Sequence, residues 1–231
     1  MQYSNHYTYE TGNPFLVSEI SRNTSYDLAY KWLTFNLTYE HVSDPIYQTV
    51  EMYKDNTTIG LMRMINGKSY NNVTSTLNLQ PTFGIWHPML SAMVEKQWFE
   101  LETRDGRYLN KPVAMFRFNN TFDTKWAMFS VMMTYITKGY EENLYIYKPL
   151  FNTDVSIYKS FLKDCLTFQL YVNDVFGTND SHIIGKYGKL KETIFDEFST
   201  SKISLTVRYK FNVTRSKYKG TGAGQSQKDR M

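Results

Sequence analysis

The chain has 231 residues, of which 16% are aromatic, and a formal net charge of +4 at pH 7. Tyr, Phe and Trp, together with abundant Thr and Asn, favour strands and argue against a helical bundle or coiled coil. The basic surplus lies in residues 214–231, whereas residues 1–213 carry equal numbers of basic and acidic groups. A nucleic-acid-binding protein should show a basic stripe on its folded part, so we expect no nucleic-acid partner.

The hydropathy pattern excludes a membrane-spanning helix but leaves membrane-spanning strands open. The longest nearly apolar run, residues 126–136, contains Ser130 and Thr134 and is well short of the roughly 20 residues that a spanning helix needs. The mean hydropathy of −0.47 does not decide the question for a barrel, because every second residue of a barrel strand faces a polar lumen.

Short alternating runs separated by turn residues recur along the whole chain. Residues 21–31 and 32–41 are predicted to form a hairpin, and Asn66-Gly67 is the dipeptide that best fits a two-residue type I′ turn. Further strands are predicted, in chain order, at 46–54, 57–65, 70–83, 88–101, 113–122, 125–137, 145–160, 165–176, 182–195 and 203–211. About 11 or 12 strands, joined mostly by short turns, predict an antiparallel meander.

The last predicted strand has the clearest pattern of all. Its apolar side chains recur at every second position, and Ser, Thr, Arg and Lys occupy the positions between them. Because side chains alternate between the two faces of a strand, one face is apolar and the other polar. Nine tilted residues are about enough to cross a bilayer as a strand. We therefore predict that five side chains form a lipid-facing surface: Ile203, Leu205, Val207, Tyr209 and Phe211.

Two all-β architectures fit this pattern, an antiparallel up-and-down transmembrane β-barrel and a secreted or surface β-sandwich that binds glycans or proteins. The polar faces of the strands are mostly Thr, Asn, Ser and Gln, whereas the outer face of a sandwich is usually rich in Lys and Glu. Aromatic residues near the strand ends are typical of the interfacial girdles of barrels: Tyr30, Trp32, Tyr39, Trp126 and Tyr135. These two observations favour the barrel, and the sandwich stays as the alternative.

The sequence contains no pattern that predicts catalysis, a cofactor or a metal. The four histidines are scattered and have no partner at metal-ligand spacing. The single cysteine, Cys165, excludes a disulfide scaffold and has no histidine at a telling spacing. Nucleotide-binding and nucleophile motifs are lacking as well. We expect a non-enzymatic protein without cofactor or metal.

Three segments carry a resemblance to a known family. Gly12-Asn13-Pro14 and the residues up to Glu19 resemble the Gly-Asn-Pro-x-Leu-x-x-Glu segment of TonB-dependent outer-membrane receptors. The run from Asn173 to Phe176 resembles an Asn-x-φ-Phe element that lies beside the last periplasmic turn of those receptors. The ending from Tyr209 onward is similar to the terminal segment of the outer membrane protein β-barrel family common in Bacteroidetes.

The resemblance implies the C-terminal part of a nutrient transporter in the cell outer membrane. Such receptors close about 22 strands around an N-terminal plug and take energy from the inner membrane through TonB. The chain shows about half of these strands and neither plug nor TonB box, and it opens without a signal peptide. We therefore expect a fragment that is completed by upstream barrel strands and a plug, with TonB as a possible partner of that missing part. A truncated product and an assembly of several copies are the alternatives.

The resemblance also implies how the end of the chain is used. Residues 1–213 are expected to be barrel, and residues 214–231 a flexible basic tail in the periplasm. Phe211 closes the last strand, so it is the expected signal for the barrel assembly machinery. Counting back from a periplasmic tail places the 196–201 connection outside, the 177–181 connection in the periplasm and the 161–164 turn outside.

Overall fold

The structure is a computed structural model that describes residues 2–5, 8–53, 56–101, 107–187, 190–196 and 200–211. The predicted tail, residues 214–231, lies outside the described residues. The strands are β1 (Gln2–Asn5), β2 (Thr8–Glu10), β3 (Ile20–Tyr30), β4 (Leu33–Ser43), β5 (Ile46–Tyr53), β6 (Asn56–Asn66), β7 (Tyr70–Leu79), β8 (Trp86–Gln97), β9 (Phe99–Leu101), β10 (Arg107–Leu109), β11 (Val113–Asp123), β12 (Met128–Ile136), β13 (Gly139–Glu141), β14 (Leu144–Ile146), β15 (Leu150–Phe161), β16 (Leu166–Asn173), β17 (Ser181–Tyr187), β18 (Leu190–Asp196) and β19 (Lys202–Tyr209). Among these residues, no helix is long and apolar enough to cross a membrane.

Nine strands form one antiparallel sheet in the order β19-β16-β15-β12-β11-β8-β7-β4-β3. Each strand of this sheet pairs with the next one along the chain that belongs to it, so the sheet is an up-and-down meander. The predicted all-β antiparallel fold is confirmed. The sheet is open in this structure, with β3 and β19 as its two edges.

The two ends of the sheet differ in how the chain crosses from strand to strand. At one end, which we call the turn rim, the connections are short: 31–32, 80–85, 124–127 and 162–165. At the other end, the loop rim, they are long and contain all the remaining strands of the chain from β5 onward: 44–69, 98–112, 137–149 and 174–201. This difference is typical of outer-membrane barrels, which have short periplasmic turns and longer external loops.

The strand registers place most of the apolar side chains of the nine strands on one face. Leu205 of β19 lies opposite Leu170 of β16, and Leu170 opposite Ile157 of β15. The same face continues through the sheet to Leu37 of β4 and Tyr26 of β3, which lie opposite each other. We call this surface the apolar face. No second sheet covers it among the described residues, and many of its side chains are exposed; a β-sandwich would bury it.

The opposite surface, the polar face, carries mainly Thr, Ser, Asn and charged side chains. Five methionines interrupt it on three neighbouring strands: Met89, Met93, Met115, Met128 and Met132. Met93 and Met115 lie directly opposite each other. These methionines explain why residues 126–136 are apolar on both faces in the sequence.

The buried core of the chain lies at the loop rim rather than on the sheet. Its members come from the ends of β4 and β7 and from the short strands beside them: Val42, Tyr47, Tyr70, Phe99, Leu101 and Leu109. Tyr47 and Tyr70 both pack edge-on against Phe99, with ring centroids 5.3 and 5.1 Å apart. We call the folded long connections the cap.

Two buried amides hold the cap together. Gln97, at the end of β8, donates to the carbonyl oxygens of Leu109 and Glu142 and accepts from the Glu142 N–H, each at 2.7–2.8 Å. Asn143 donates to the carbonyl oxygens of Gln48 and Lys186. Because a buried amide without partners is costly, these residues fix the relative positions of the long connections.

Several predicted details differ from the structure. The sheet has nine long strands rather than 11 or 12, because the predicted strands at 46–54, 57–65 and 182–195 belong to the cap. Asn66-Gly67 does not join a hairpin, since β6 pairs with β5 and β7 pairs with β4 and β8. The Asn66 side chain instead binds the carbonyl oxygens of Val17 and Asp44.

The predicted sidedness of the connections is wrong for 161–164 and for 177–181, whereas the connection that contains 196–201 does lie at the rim opposite to the end of β19. The Lys210 N–H donates to the Cys165 carbonyl oxygen at 2.8 Å, so the 161–164 turn lies at the same rim as the end of β19. The 177–181 and 196–201 segments belong to one connection between β16 and β19, at the opposite rim. The physical reason is that the region predicted as one wall strand, 182–195, is the β17–β18 hairpin, which leaves and returns at the same rim.

Candidate functional site

The closing strand β19 presents four of the five predicted side chains to the surroundings, and the fifth, Phe211, lies two residues beyond the end of the strand rather than closing it. Their exposed fractions run from 49% at Tyr209 to 82% at Phe211. On one side, β19 pairs with β16, and its other edge has no partner among the described residues. The sequence reasoning therefore identified a continuous exposed apolar surface, and contact of this surface with lipid stays a prediction.

Aromatic rings are concentrated on and beside the apolar face at the turn rim. Trp86 stacks on Phe122 at 6.3 Å, and Trp126 stacks on Phe129 at 5.8 Å. The full set runs from one edge strand to the other: Tyr30, Trp32, Phe83, Trp86, Phe122, Trp126, Phe129, Phe161, Tyr209 and Phe211. Amphipathic rings in such a band are typical of the boundary between hydrocarbon and water.

A second aromatic group lies toward the loop rim. Phe116, Tyr135 and Phe151 stand side by side on three neighbouring strands. Tyr39 and Trp98 extend the group toward the other edge of the sheet, and both are exposed. Leucine, isoleucine, valine and phenylalanine occupy most of the apolar face between the two groups. The arrangement matches an apolar band between two girdles.

The Gly12-Asn13-Pro14 segment is tied to the β5–β6 hairpin. The Asn13 side chain donates to the Met64 carbonyl oxygen at 3.0 Å and accepts from the Phe15 N–H at 3.1 Å. Further along, the Glu19 carboxylate accepts from the Ile46 N–H at 2.8 Å. The segment thus orients the entry into β3. A Cβ on Gly12 would meet nothing within 4 Å, so this structure contains no steric reason for glycine there.

The Asn173–Phe176 element lies at the loop rim, opposite to the end of β19. The expectation that it borders the last periplasmic turn, on the same side as the tail, is therefore wrong. Asn173 ends β16 opposite Lys202, and Phe176 stacks on Phe151 at 6.5 Å while remaining exposed. The element starts the long connection back to β19.

The central residue of this element is Asp174, which the sequence reasoning did not single out. Its carboxylate accepts from the N–H groups of Thr178 and Asn179 and from the Thr200 hydroxyl, so it joins both ends of the 174–201 connection. Its own N–H donates to the Asp154 carboxylate at 2.9 Å. Gly177, with φ +63°, supplies the turn that brings these donors together. Asp174 followed by Gly177-Thr178 is the sequence signal that could have revealed this site.

The hydrogen bonds to Asp174 determine its protonation. Burial alone would raise the pKa of this carboxyl, but the donors from Thr200, Thr178 and Asn179 outweigh burial and hold the pKa below its usual value. Asp174 is only 1% exposed, and no cation pairs with it among the described residues. A carboxylate stabilised only by hydrogen bonds is a structural anchor rather than a proton donor.

Glu142, in the cap, has an environment that shifts the pKa of its carboxyl in the opposite direction to that of Asp174. Burial is the main cause that raises the pKa of its carboxyl, and the nearby Glu19, Glu141 and Glu95 raise it further. Among the described residues, no group of three or more His, Cys, Asp or Glu side chains has a geometry that could hold a metal ion.

The model of the outer membrane protein beta-barrel family matches residues 1–209. No curated protein and no solved structure matches the chain. The family match covers the described sheet, with its apolar face, aromatic girdles and unequal rims. The chain therefore belongs to the outer membrane protein beta-barrel family, and its place is the cell outer membrane.

Proposed function

We propose that this chain forms the C-terminal barrel portion of a TonB-dependent-receptor-like transporter for nutrient uptake. The observation that carries the proposal is the nine-stranded sheet with one continuous apolar face and one polar face. Such a sheet suits a wall between hydrocarbon and a water-filled lumen. The resemblance of the Gly12–Pro14 segment supports the receptor type among outer-membrane barrels, whereas the Asn173–Phe176 element lies at the rim opposite to the one that its resemblance implies.

The open edges of the sheet support completion by further strands. Hydrocarbon does not tolerate unpaired backbone groups, so β3 and β19 need partners in the membrane. Both strands run from the loop rim to the turn rim, and direct pairing between them would be parallel. All-antiparallel closure needs an odd number of additional strands. A receptor of about 22 strands would supply about 13, which is odd, whereas a second copy of this chain would create parallel junctions.

The lengths of the connections at the two rims support an orientation of the sheet in the membrane. The short connections and the end of β19 share the turn rim, which we assign to the periplasm, and the cap then lies outside the cell. In this orientation, the cap and the adjoining lumen meet the nutrient first. The terminal strand, with Phe211 two residues beyond its end, would guide insertion by the barrel assembly machinery.

The proposal is tested by nutrient depletion from a complex medium. Three strains are compared: one with the intact gene, one with the gene deleted, and one without TonB. We expect at least one compound that the intact strain consumes and that both other strains leave in the medium. If the intact and the deleted strain deplete the same compounds, the transport proposal is wrong. Uptake that needs this protein but not TonB would overturn the receptor type, and the protein would then be a passive channel.

A further inference from the structure

The charged side chains on the apolar face share one property. Along the nine strands there are three of them among the described residues, Arg22, Lys96 and Lys159, and all three are cationic. Each lies within three residues of a strand end, Arg22 and Lys96 at the loop rim and Lys159 at the turn rim. None forms an ion pair with a described carboxylate. Cations without carboxylates at the borders of an apolar band fit the phosphate planes of a bilayer.

Lys159 is the most enclosed of the three. Its Nζ lies 4.1 Å from the centroid of the Trp126 ring and 5.1 Å from that of Phe161. The two rings hold the ammonium at the border of the apolar face by cation–π attraction. No described group accepts a hydrogen bond from this ammonium, so its N–H donors remain available to a ligand.

A cavity adjoins this corner of the turn rim. It has a volume of about 320 Å³, and it is lined by Lys125, Trp126 and Lys159 together with side chains of the polar face, among them Asp123 and Tyr158. Two cations and one carboxylate leave a net charge of +1. That charge is complementary to the single negative charge of a phosphodiester.

We propose that Lys159, with Trp126 and Lys125, binds the phosphodiester of a membrane phospholipid at the turn rim. The acyl chains would run along the apolar face beside Phe161 and Phe168, which lie on the same face of β15 and β16. The inference rests on the place of the family in the outer membrane and is independent of the transport proposal.

The test is native mass spectrometry of the full polypeptide that carries this chain, purified in detergent and titrated with phosphatidylethanolamine. Diacylglycerol, which lacks the phosphate, is the matched lipid. The variant Lys159→Gln should bind phosphatidylethanolamine about fivefold more weakly, the usual contribution of one lysine near a membrane phosphate. Lys159→Arg should retain binding. The control is Lys138→Gln, which removes a lysine that also lies over an aromatic ring, 5.3 Å from the centroid of Tyr147, but outside the strands.

Three results would overturn the proposal. The first is equal phosphatidylethanolamine binding by the wild type and Lys159→Gln, with both proteins folded as judged by heat-dependent migration in gels. The second is an equal loss in Lys138→Gln, which would indicate non-specific attraction. The third is displacement of the lipid by inorganic phosphate at the same concentration, which would indicate a site for free anions.

Discussion

Leu205 of β19 and Leu170 of β16 lie directly opposite each other, and both side chains are exposed on the apolar face. The pair is near the middle of the last two strands, between the aromatic girdles. If this face meets lipid, the two leucines contact hydrocarbon near the bilayer centre.

The change Leu170→Arg tests that placement. We expect it to lower the free energy of unfolding by about 2–4 kcal/mol, because it transfers a charge to the bilayer midplane. The measurement is denaturant unfolding of the full polypeptide in lipid vesicles. The matched control is Gln169→Arg, one residue earlier on the polar face of β16, where an arginine meets water and should cost about 0–1 kcal/mol. Equal effects of the two changes would show that the apolar face does not meet lipid.

The contrast between these neighbours also shows what the sequence could predict. A period of two is a local property, so the strands around Leu37, Leu77, Leu170 and Leu205 were placed correctly from the sequence alone, as was the all-β fold. Pairing partners are a non-local property. The turn residues Asn66-Gly67 contain no information on whether β7 returns to β6 or crosses to β4, and the structure shows the second arrangement.

The anchoring residues were missed for a related reason. Asp174, Gln97 and Asn143 look like ordinary polar residues in the sequence, because their partners are 4 to 95 positions away. The apolar run at 126–136 was ambiguous because Met132 and Met133 are chemically alike and yet lie on opposite faces. Only the register decides which of them belongs to the polar face.

Asp174 should make the 174–201 connection sensitive to acid. Its folded pKa lies below the unfolded value, so its stabilisation is present above the unfolded pKa and is lost as the pH falls through the folded pKa. We expect hydrogen exchange of the Thr178 and Asn179 amides to accelerate as the pH is lowered below about 4, beyond the intrinsic pH effect on exchange. Asp174→Asn should already exchange faster at pH 7, and its remaining pH dependence should be smaller.

The surface residue Asp180 provides the comparison for that experiment. Its carboxylate forms a partly exposed salt bridge with Lys148 at 3.1 Å, and such pairs contribute about 0–1 kcal/mol. Asp180→Asn should therefore leave the exchange at Thr178 nearly unchanged. If Asp180→Asn accelerates it as much as Asp174→Asn does, the hydrogen-bond anchor is not centred on Asp174.

Glu142 should change the stability of the cap with pH in the opposite direction to Asp174. Its folded pKa is raised, so its ionised form destabilises the cap above the unfolded pKa, and protonation relieves this as the pH falls. Glu142→Gln should stabilise the cap at pH 7 by about 0.5 kcal/mol, and the gain should disappear near pH 4. Limited proteolysis of the long connections at both pH values measures the effect. A variant that is cleaved faster than the wild type at pH 7 would contradict the assigned burial.

Among the amides of the cap, Gln97 should be the one whose replacement destabilises the cap most. Replacing this residue by Leu leaves the carbonyl oxygens of Leu109 and Glu142 and the Glu142 N–H without partners. Each buried unsatisfied group costs about 1–3 kcal/mol, so we expect the cap to open while the sheet persists. Protease cleavage within 98–112, with unchanged heat-dependent migration of the barrel, would show this. Gln80→Leu, a change at an exposed position of the turn rim, is the control and should leave cleavage unchanged.

Glycine at position 139 has a steric role that glycine at position 12 lacks. A Cβ on Gly139 would lie 2.4 Å from the Pro112 carbonyl oxygen and 2.7 Å from the Val113 Cα, and backbone atoms cannot move aside cheaply. Gly139→Ala should therefore separate β13 from the start of β11 and lower stability by about 1–3 kcal/mol. Gly12→Ala meets open space and should cost nothing measurable in the same denaturant experiment. A large loss in Gly12→Ala would instead indicate that the Gly-Asn-Pro segment packs against a part of the protein outside the described residues.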